Sequence, residues 1–312
     1  MPFSGKAAVA SLSSRLTAGG RHPHGIFYMV LSSLFFALMA PLVKVVGNKY
    51  GYESFDLVFV RSLFGLAFTG VLMWQTRAPI IGHNMPLLIA RGLVGLAAVF
   101  TYYIALQNLP NFSDAVMLQY TSPIFVGLLA PFLLRERARA IRFVLIAVSF
   151  VGMLMIVKQD AAAMFTFDLN SMYALIGLAS GLAAGLANII VRKATATDNS
   201  LTVMFYFPFI STIATAPFFI AHMHVPGLLE LLMLCGIGVL GTLSQVFLTV
   251  GLKYETATRA TILTYSAPVF ALVIELLIFA NTPTTLSLAG SMIVILCAVV
   301  IARLRDRKRQ GT

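Results

Sequence analysis

The stretches Tyr120-Thr121-Ser122-Pro123-Ile124-Phe125 and Tyr265-Ser266-Ala267-Pro268-Val269-Phe270 are two copies of one phrase, about 145 residues apart. Ala105-Leu106-Gln107 and Ser113-Asp114-Ala115 lead into the first copy, and Gly251-Leu252-Lys253 and Thr258-Arg259-Ala260 into the second. The Tyr, Pro and Phe of each copy fall into step, and the approach differs by one residue. A doubled apolar segment is the sequence trace expected of a carrier built from two similar halves.

Composition says what surrounds the chain. Of 312 residues, 59% are hydrophobic and 11% charged, and the mean hydropathy is +0.90. Soluble domains are about a quarter charged, so most of this surface faces lipid. The net charge of +11 does not point to nucleic acid, because Lys and Arg sit in short connections and tails beside apolar runs. Cys235 and Cys297 lie inside apolar stretches, without metal-ligand spacing or a disulfide framework.

Apolar runs of spanning length fall at 25–46, 56–74, 85–108, 112–132, 139–157, 170–193, 202–221, 227–252, 256–279 and 285–304. The expected fold is therefore all-α: ten transmembrane helices as two inverted five-helix repeats, 25–157 and 170–304. A cytosolic tail (1–24) precedes an uncleaved first span, and a basic cytosolic tail (305–312) follows the last. The divisions at 108–112 and 252–256 are so short that one long kinked helix is the alternative at each. With both ends cytosolic, the inner side collects Arg77, Arg135, Arg137, Arg139, Arg142, Arg192, Lys193, Lys253, Arg259 and both basic tails, while the outer side keeps Lys49 and Lys158. That is the positive-inside pattern of a bacterial inner-membrane protein. Five spans per half turns the second half upside down, and the charges switch accordingly: 107–112 has no Lys or Arg, whereas 253–259 has gained Lys253 and Arg259.

These features resemble the drug/metabolite transporter superfamily, in its ten-span form with two EamA repeats. The resemblance rests on the paired Tyr/Pro phrases, Lys44 closing the first span, Arg61 early in the second, and Glu136 thirteen residues after Pro123. The second copy departs from the pattern with Asn281 in place of an acidic residue, and Arg135 replaces a glycine before Glu136. Arg91-Gly92 through Tyr102-Tyr103, with Ser113-Asp114-Ala115, is similar to a subgroup that includes S-adenosylmethionine carriers. The resemblance implies a secondary carrier with its cavity between the halves, lined by the first four spans of each. The fifth and tenth spans would then be peripheral, with a homodimer through them left open.

A charge within the hydrocarbon costs about 2.5–3.5 kcal/mol on insertion scales, so each one needs a reason. Glu275, on the ninth span, reads as a coupling carboxylate or as half of a structural ion pair with Lys44 or Arg61. Arg61 reads as a binder of carboxylate or phosphate, or as a helix-end arginine reaching to headgroups. Arg91 reads as an inner-gate residue or a headgroup contact, with Gly92 and Gly95 admitting a neighbouring helix. Tyr120 and Tyr265 approach the centre from equivalent positions and offer a stacking face and a hydroxyl, or else bond between helices. Pro123 and Pro268 read as hinges, since each frees a carbonyl one turn back. Gln119, Asn188, Gln245 and Thr264 are further lining candidates. The doubled GxxxG at Gly177, Gly181 and Gly185 makes a groove for another helix, within the monomer rather than between copies.

Three classes compete. A secondary transporter moves a small polar or amphiphilic organic metabolite (amino acid, nucleoside or S-adenosylmethionine-like) as exporter or exchanger. Protons or a counter-substrate are its coupling partners. A membrane-embedded enzyme needs a catalytic cluster at depth, but all five histidines lie in tails or connections. A channel needs a selectivity filter, and no such element is readable here. No Walker-type loop is present, and no cofactor or metal is expected.

Overall fold

The computed structural model describes residues 25–109, 112–134, 140–158, 172–222, 226–279 and 284–303. Both tails, Glu136 and Asn281 lie outside them, as does the side chain of Glu275. In lipid no water is present to satisfy backbone groups, so the apolar runs become helices. They are α1 (Gly25–Tyr50), α2 (Ser54–Thr76), α3 (Met85–Asn108), α4 (Phe112–Gln119), α5 (Ser122–Leu134), α6 (Ala140–Lys158), α7 (Met172–Ala194), α8 (Ser200–His222), α9 (Leu228–Tyr254), α10 (Ala257–Leu263), α11 (Ser266–Phe279) and α12 (Thr285–Arg303). With α4 and α5 read as one span, and α10 and α11 as another, ten spans among the described residues are long and apolar enough to cross a bilayer. The protein is a polytopic all-α membrane protein.

Local chemistry marks the ends. The first span closes on Gly51, whose φ of 74° lets its N–H reach the Gly47 carbonyl at 3.1 Å. The second opens on a reciprocal box in which the Asp56 carboxylate accepts from the Glu53 N–H at 2.9 Å. Asn84 caps the third span by accepting from the Leu87 N–H at 3.2 Å. At 252–256 the chain is broken rather than kinked, since α9 ends at Tyr254 and α10 starts at Ala257.

The largest departure from the sequence reading lies at the paired phrases. The prolines do not bend continuous helices; each helix stops and restarts. Tyr120 and Thr121 separate α4 from α5, and Thr264 and Tyr265 separate α10 from α11. Pro123 and Pro268 then fall in the first turn of the restarted helix, where a missing N–H costs nothing. Hydroxyls satisfy the carbonyls left behind. Thr121 Oγ1 donates to the Leu118 carbonyl at 2.6 Å, and Ser266 Oγ to the Leu263 carbonyl at 2.7 Å.

Packing follows the duplication. The first span lies along the eighth as the third lies along the sixth, the second packs on the seventh, and the fifth on the tenth. The fourth span rests on the sixth as the ninth rests on the first. Exchanging the halves leaves this neighbour list unchanged, as a pseudo-twofold relation requires. The glycine groove of α7 is filled within the monomer: a Cβ on Gly177 would meet Leu118, one on Gly181 would meet Thr121, and one on Gly185 would meet Phe125. Large apolar side chains such as Trp74, Phe132 and Leu296 point outward, toward lipid.

Candidate functional site

A cavity of about 820 Å³, its open side included, lies where the two halves meet. Its walls come from the first, second, third, fourth, sixth, seventh, eighth and ninth spans, and the fifth and tenth contribute no lining residue. Of the residues singled out in the sequence, Arg61, Arg91, Gln119, Tyr120, Asn188, Gln245 and Thr264 line it.

The two arginines dominate its electrostatics. Arg61 and Arg91 are 6% and 3% exposed, so neither reaches headgroups at a helix end. Their guanidinium carbons lie 5.8 and 5.1 Å from the centre of the same ring, that of Phe207, within range of a cation–π contact. Arg61 Nη1 donates to the Tyr103 hydroxyl at 3.3 Å, and that hydroxyl points on to Met39 Sδ at 3.7 Å. Arg91 Nε and Nη1 are buried without a hydrogen-bond acceptor among the described residues. Among the described residues no carboxylate lines the cavity, and these two charges face each other's field.

Glycines make the room. Gly95 stands one turn beyond Arg91 on α3, and a Cβ there would collide with Arg91 Nη1. Helical side chains ordinarily lean toward the N-terminus; Arg91 instead lies toward the C-terminal end, deeper into the bundle. Across the cavity, a Cβ on Gly241 of α9 would come within 2.9 Å of Arg61 Nε. The sequence suggested that Gly92 and Gly95 both admit a helix, and both do: the Tyr206 carbonyl lies 2.8 Å from the virtual Cβ of Gly92 and Phe207 Cδ2 2.8 Å from that of Gly95, which also makes space for its own helix's arginine.

The rest of the wall is neutral and amphiphilic. Ser180 Oγ donates to Gln119 Oε1 at 2.7 Å, Gln245 Nε2 to Thr249 Oγ1 at 3.4 Å, and Thr264 Oγ1 to the Thr261 carbonyl at 2.6 Å. Ser32 and Ser244 clasp the first span to the eighth, each hydroxyl donating to the other's carbonyl at 2.8 and 3.0 Å. Phe36 stacks on Tyr102 at 5.7 Å and meets Tyr120 edge-on at 6.4 Å. Tyr265 is placed behind this wall, not in it: it is fully buried, its ring is 6.2 Å from that of Tyr120, and its hydroxyl has no partner among the described residues. Glu275 falls on α11, and its side chain lies outside the described residues.

The sequence reading missed Phe207, Tyr102, Tyr103 and the Ser32/Ser244 pair. Phe207 had a readable signal, because it is the eighth residue of α8 as Arg61 is the eighth of α2. The serines had none, since small hydroxyls are common in membrane helices.

A ten-span bundle with an interior cavity between two repeats is the architecture of a carrier. The EamA-like transporter family model matches residues 23–158 and 171–303, and the chain belongs to that family, within the drug/metabolite transporters. It is 31% identical to the pseudopaline exporter CntI of Pseudomonas aeruginosa, over 89% of this chain and 96% of that one. It is 25% identical to human solute carrier family 35 member G1 over 87% and 76%. It is also 23% identical to an S-adenosylmethionine uptake transporter of Rickettsia prowazekii over 87% and 90%. A solved crystal structure, 18% identical, superposes with a TM-score of 0.74 over 89% of this chain and 95% of that one. The protein is an integral membrane transporter, not an enzyme, and its substrate is a small molecule.

Proposed function

We propose that this transporter is a secondary carrier that exports or exchanges a small organic acid or zwitterion across the bacterial inner membrane by alternating access. Both termini are cytosolic and the two repeats sit inverted about the cavity. The single observation that carries the reading is a membrane-buried cavity holding Arg61 and Arg91, with no carboxylate among the described lining residues to neutralise them. A guanidinium out of water is costly until an anion pairs with it, and it grips a carboxylate or phosphate through parallel N–H bonds. The aromatic wall of Phe36, Tyr102 and Tyr120 suits the carbon skeleton of an amphiphilic metabolite. Likeness to an exporter over nearly its whole length supports export. The helix breaks beside Pro123 and Pro268 are the hinges, since they are the two points where a cavity-lining span has no continuous backbone ladder.

Transport into proteoliposomes tests this, with labelled organic acids and amino acids and with or without an imposed pH gradient. Arg61→Ala should weaken anionic substrates more than zwitterionic ones, and equal loss for both sinks the anion-binding role. Glu275→Gln should abolish proton coupling or exchange while leaving folded protein. Normal uptake by that variant would remove Glu275 from the mechanism.

A further inference from the structure

We infer that the cavity selects a dianion: its substrate presents two acidic groups, one to Arg61 and one to Arg91, both beside the Phe207 ring. The inference rests on the carrier reading above and narrows its substrate class. A single anionic group could be gripped by one arginine, and a second arginine would then be an unexplained cost in the hydrocarbon. Here both are present, and each has its own space. Gly95 clears the path of Arg91 and Gly241 that of Arg61, on two different spans. Among the described residues neither guanidinium is paired with a carboxylate. The one hydrogen bond found for Arg61 goes to a neutral hydroxyl at 3.3 Å, and Arg91 Nε and Nη1 have no acceptor among the described residues.

Phe207 bounds the spacing. With its ring centre 5.8 Å from one guanidinium carbon and 5.1 Å from the other, the two cations are held near the ring and no farther apart than the sum of those distances. Like charges in a poorly screened interior repel. A single carboxylate placed at one guanidinium leaves the other unneutralised, whereas a dianion neutralises both and supplies the acceptors that Arg91 lacks. Two acidic groups separated by a short carbon chain fit that spacing.

Thermal unfolding of the purified full-length transporter in detergent tests the charge count. The probes are the dicarboxylates from malonate to adipate, each beside a monocarboxylate of the same chain length. One dicarboxylate length should raise the unfolding midpoint with an apparent affinity at least about tenfold greater than its monoanion, since a charge-assisted pair contributes about 1.5–3 kcal/mol. Arg61→Gln and Arg91→Gln should each erase that preference, bringing the apparent affinity of the dicarboxylate down to that of its monoanion. Equal binding of mono- and dicarboxylates by the wild-type protein overturns the two-charge inference and leaves an anion carrier standing. Binding of neither removes both. A dicarboxylate preference that survives Arg91→Gln overturns the assignment of Arg91. The wild-type comparison stands alone if a variant fails to fold.

Discussion

The second and seventh spans are the same helix twice. Each has 23 residues, each packs against the other across the pseudo-twofold, and each places its eighth residue at the cavity. In one that residue is Arg61 and in the other Phe207, and the two meet. Two arginines would repel there, and two phenylalanines would leave an apolar contact unable to hold an anion. The repeats share a backbone plan, and the chemistry arises where the copies differ. Arg91 repeats the lesson, because no arginine occurs on the eighth span, its partner in the other half.

That asymmetry is broken most severely by removing either charge. Arg91→Gln and Arg61→Gln should each lower transport of an anionic substrate about ten- to a hundredfold, the loss expected when a buried charge-assisted pair of about 1.5–3 kcal/mol disappears. Initial rates in proteoliposomes, normalised to folded protein, check this. A variant with wild-type rates would show that the cavity's charge is incidental to transport.

A second contrast lies at the two helix breaks. The break in the fourth span rests on glycines, and a Cβ on Gly181 would come within 2.6 Å of the Leu118 carbonyl besides striking Thr121. The break in the ninth rests on the first span, where Ser33 Oγ reaches the Leu263 carbonyl at 3.5 Å. One joint is pressed into a groove; the other is held by a long hydrogen bond. Gly181→Ala should therefore cost about 1–3 kcal/mol by overpacking, seen as a lowered unfolding midpoint in detergent. Gly70→Ala, which would meet nothing within 4 Å, should leave the midpoint unchanged or slightly raised. Similar midpoints for the two variants would mean that the groove can widen and that the fourth span is not tightly seated.

How much of this could be read in the sequence follows from the same physics. Span count and repeat were legible because lipid demands long apolar runs and topology demands a charge bias, and both act on whole segments. Arg61, Arg91, Gln119 and Tyr120 stood out because polar groups at depth are expensive. Where those groups point was not legible. Arg91 looked like a headgroup contact by its distance from the helix end, and only the room beside Gly95 turns it inward. The prolines announced a break, but its place two to four residues earlier depends on Thr121 and Ser266 capping stranded carbonyls. Phe207 was overlooked for its type, since an aromatic in a membrane span is ordinary, although its register matches that of Arg61.

Phe207 itself sharpens the comparison between the second and seventh spans. Replacing it with Leu keeps an apolar residue of similar reach but removes the face shared by the two guanidiniums. Cation–π contacts contribute about 0.5–2 kcal/mol each, so half-saturation for an anionic substrate should rise about three- to tenfold. The loss should be smaller than for either arginine, and it should fall on affinity more than on maximal rate. An unchanged half-saturation would mean that the ring only fills space.

The smallest effect should come from the end of the bundle that carries Arg192 and Arg259, away from the cavity, where arginine performs the opposite task. Arg259 pairs with Glu255 at 3.0 Å and donates to the carbonyls of Ile301 and Ala302 at 3.0 and 2.8 Å. Its charge is fully used by the protein, closing the end of α12 as a cation at a helix C-terminus does. Arg192 likewise donates to the carbonyls of Leu252 and Lys253 at the end of α9. Arg259→Gln should thus lower the unfolding midpoint by the equivalent of about 0.5–1 kcal/mol, and by less at high salt. Half-saturation for substrate should not move. If it moved as much as in Arg91→Gln, cavity arginines and helix-end arginines would not differ in function, and the contrast between cavity and rim would fail.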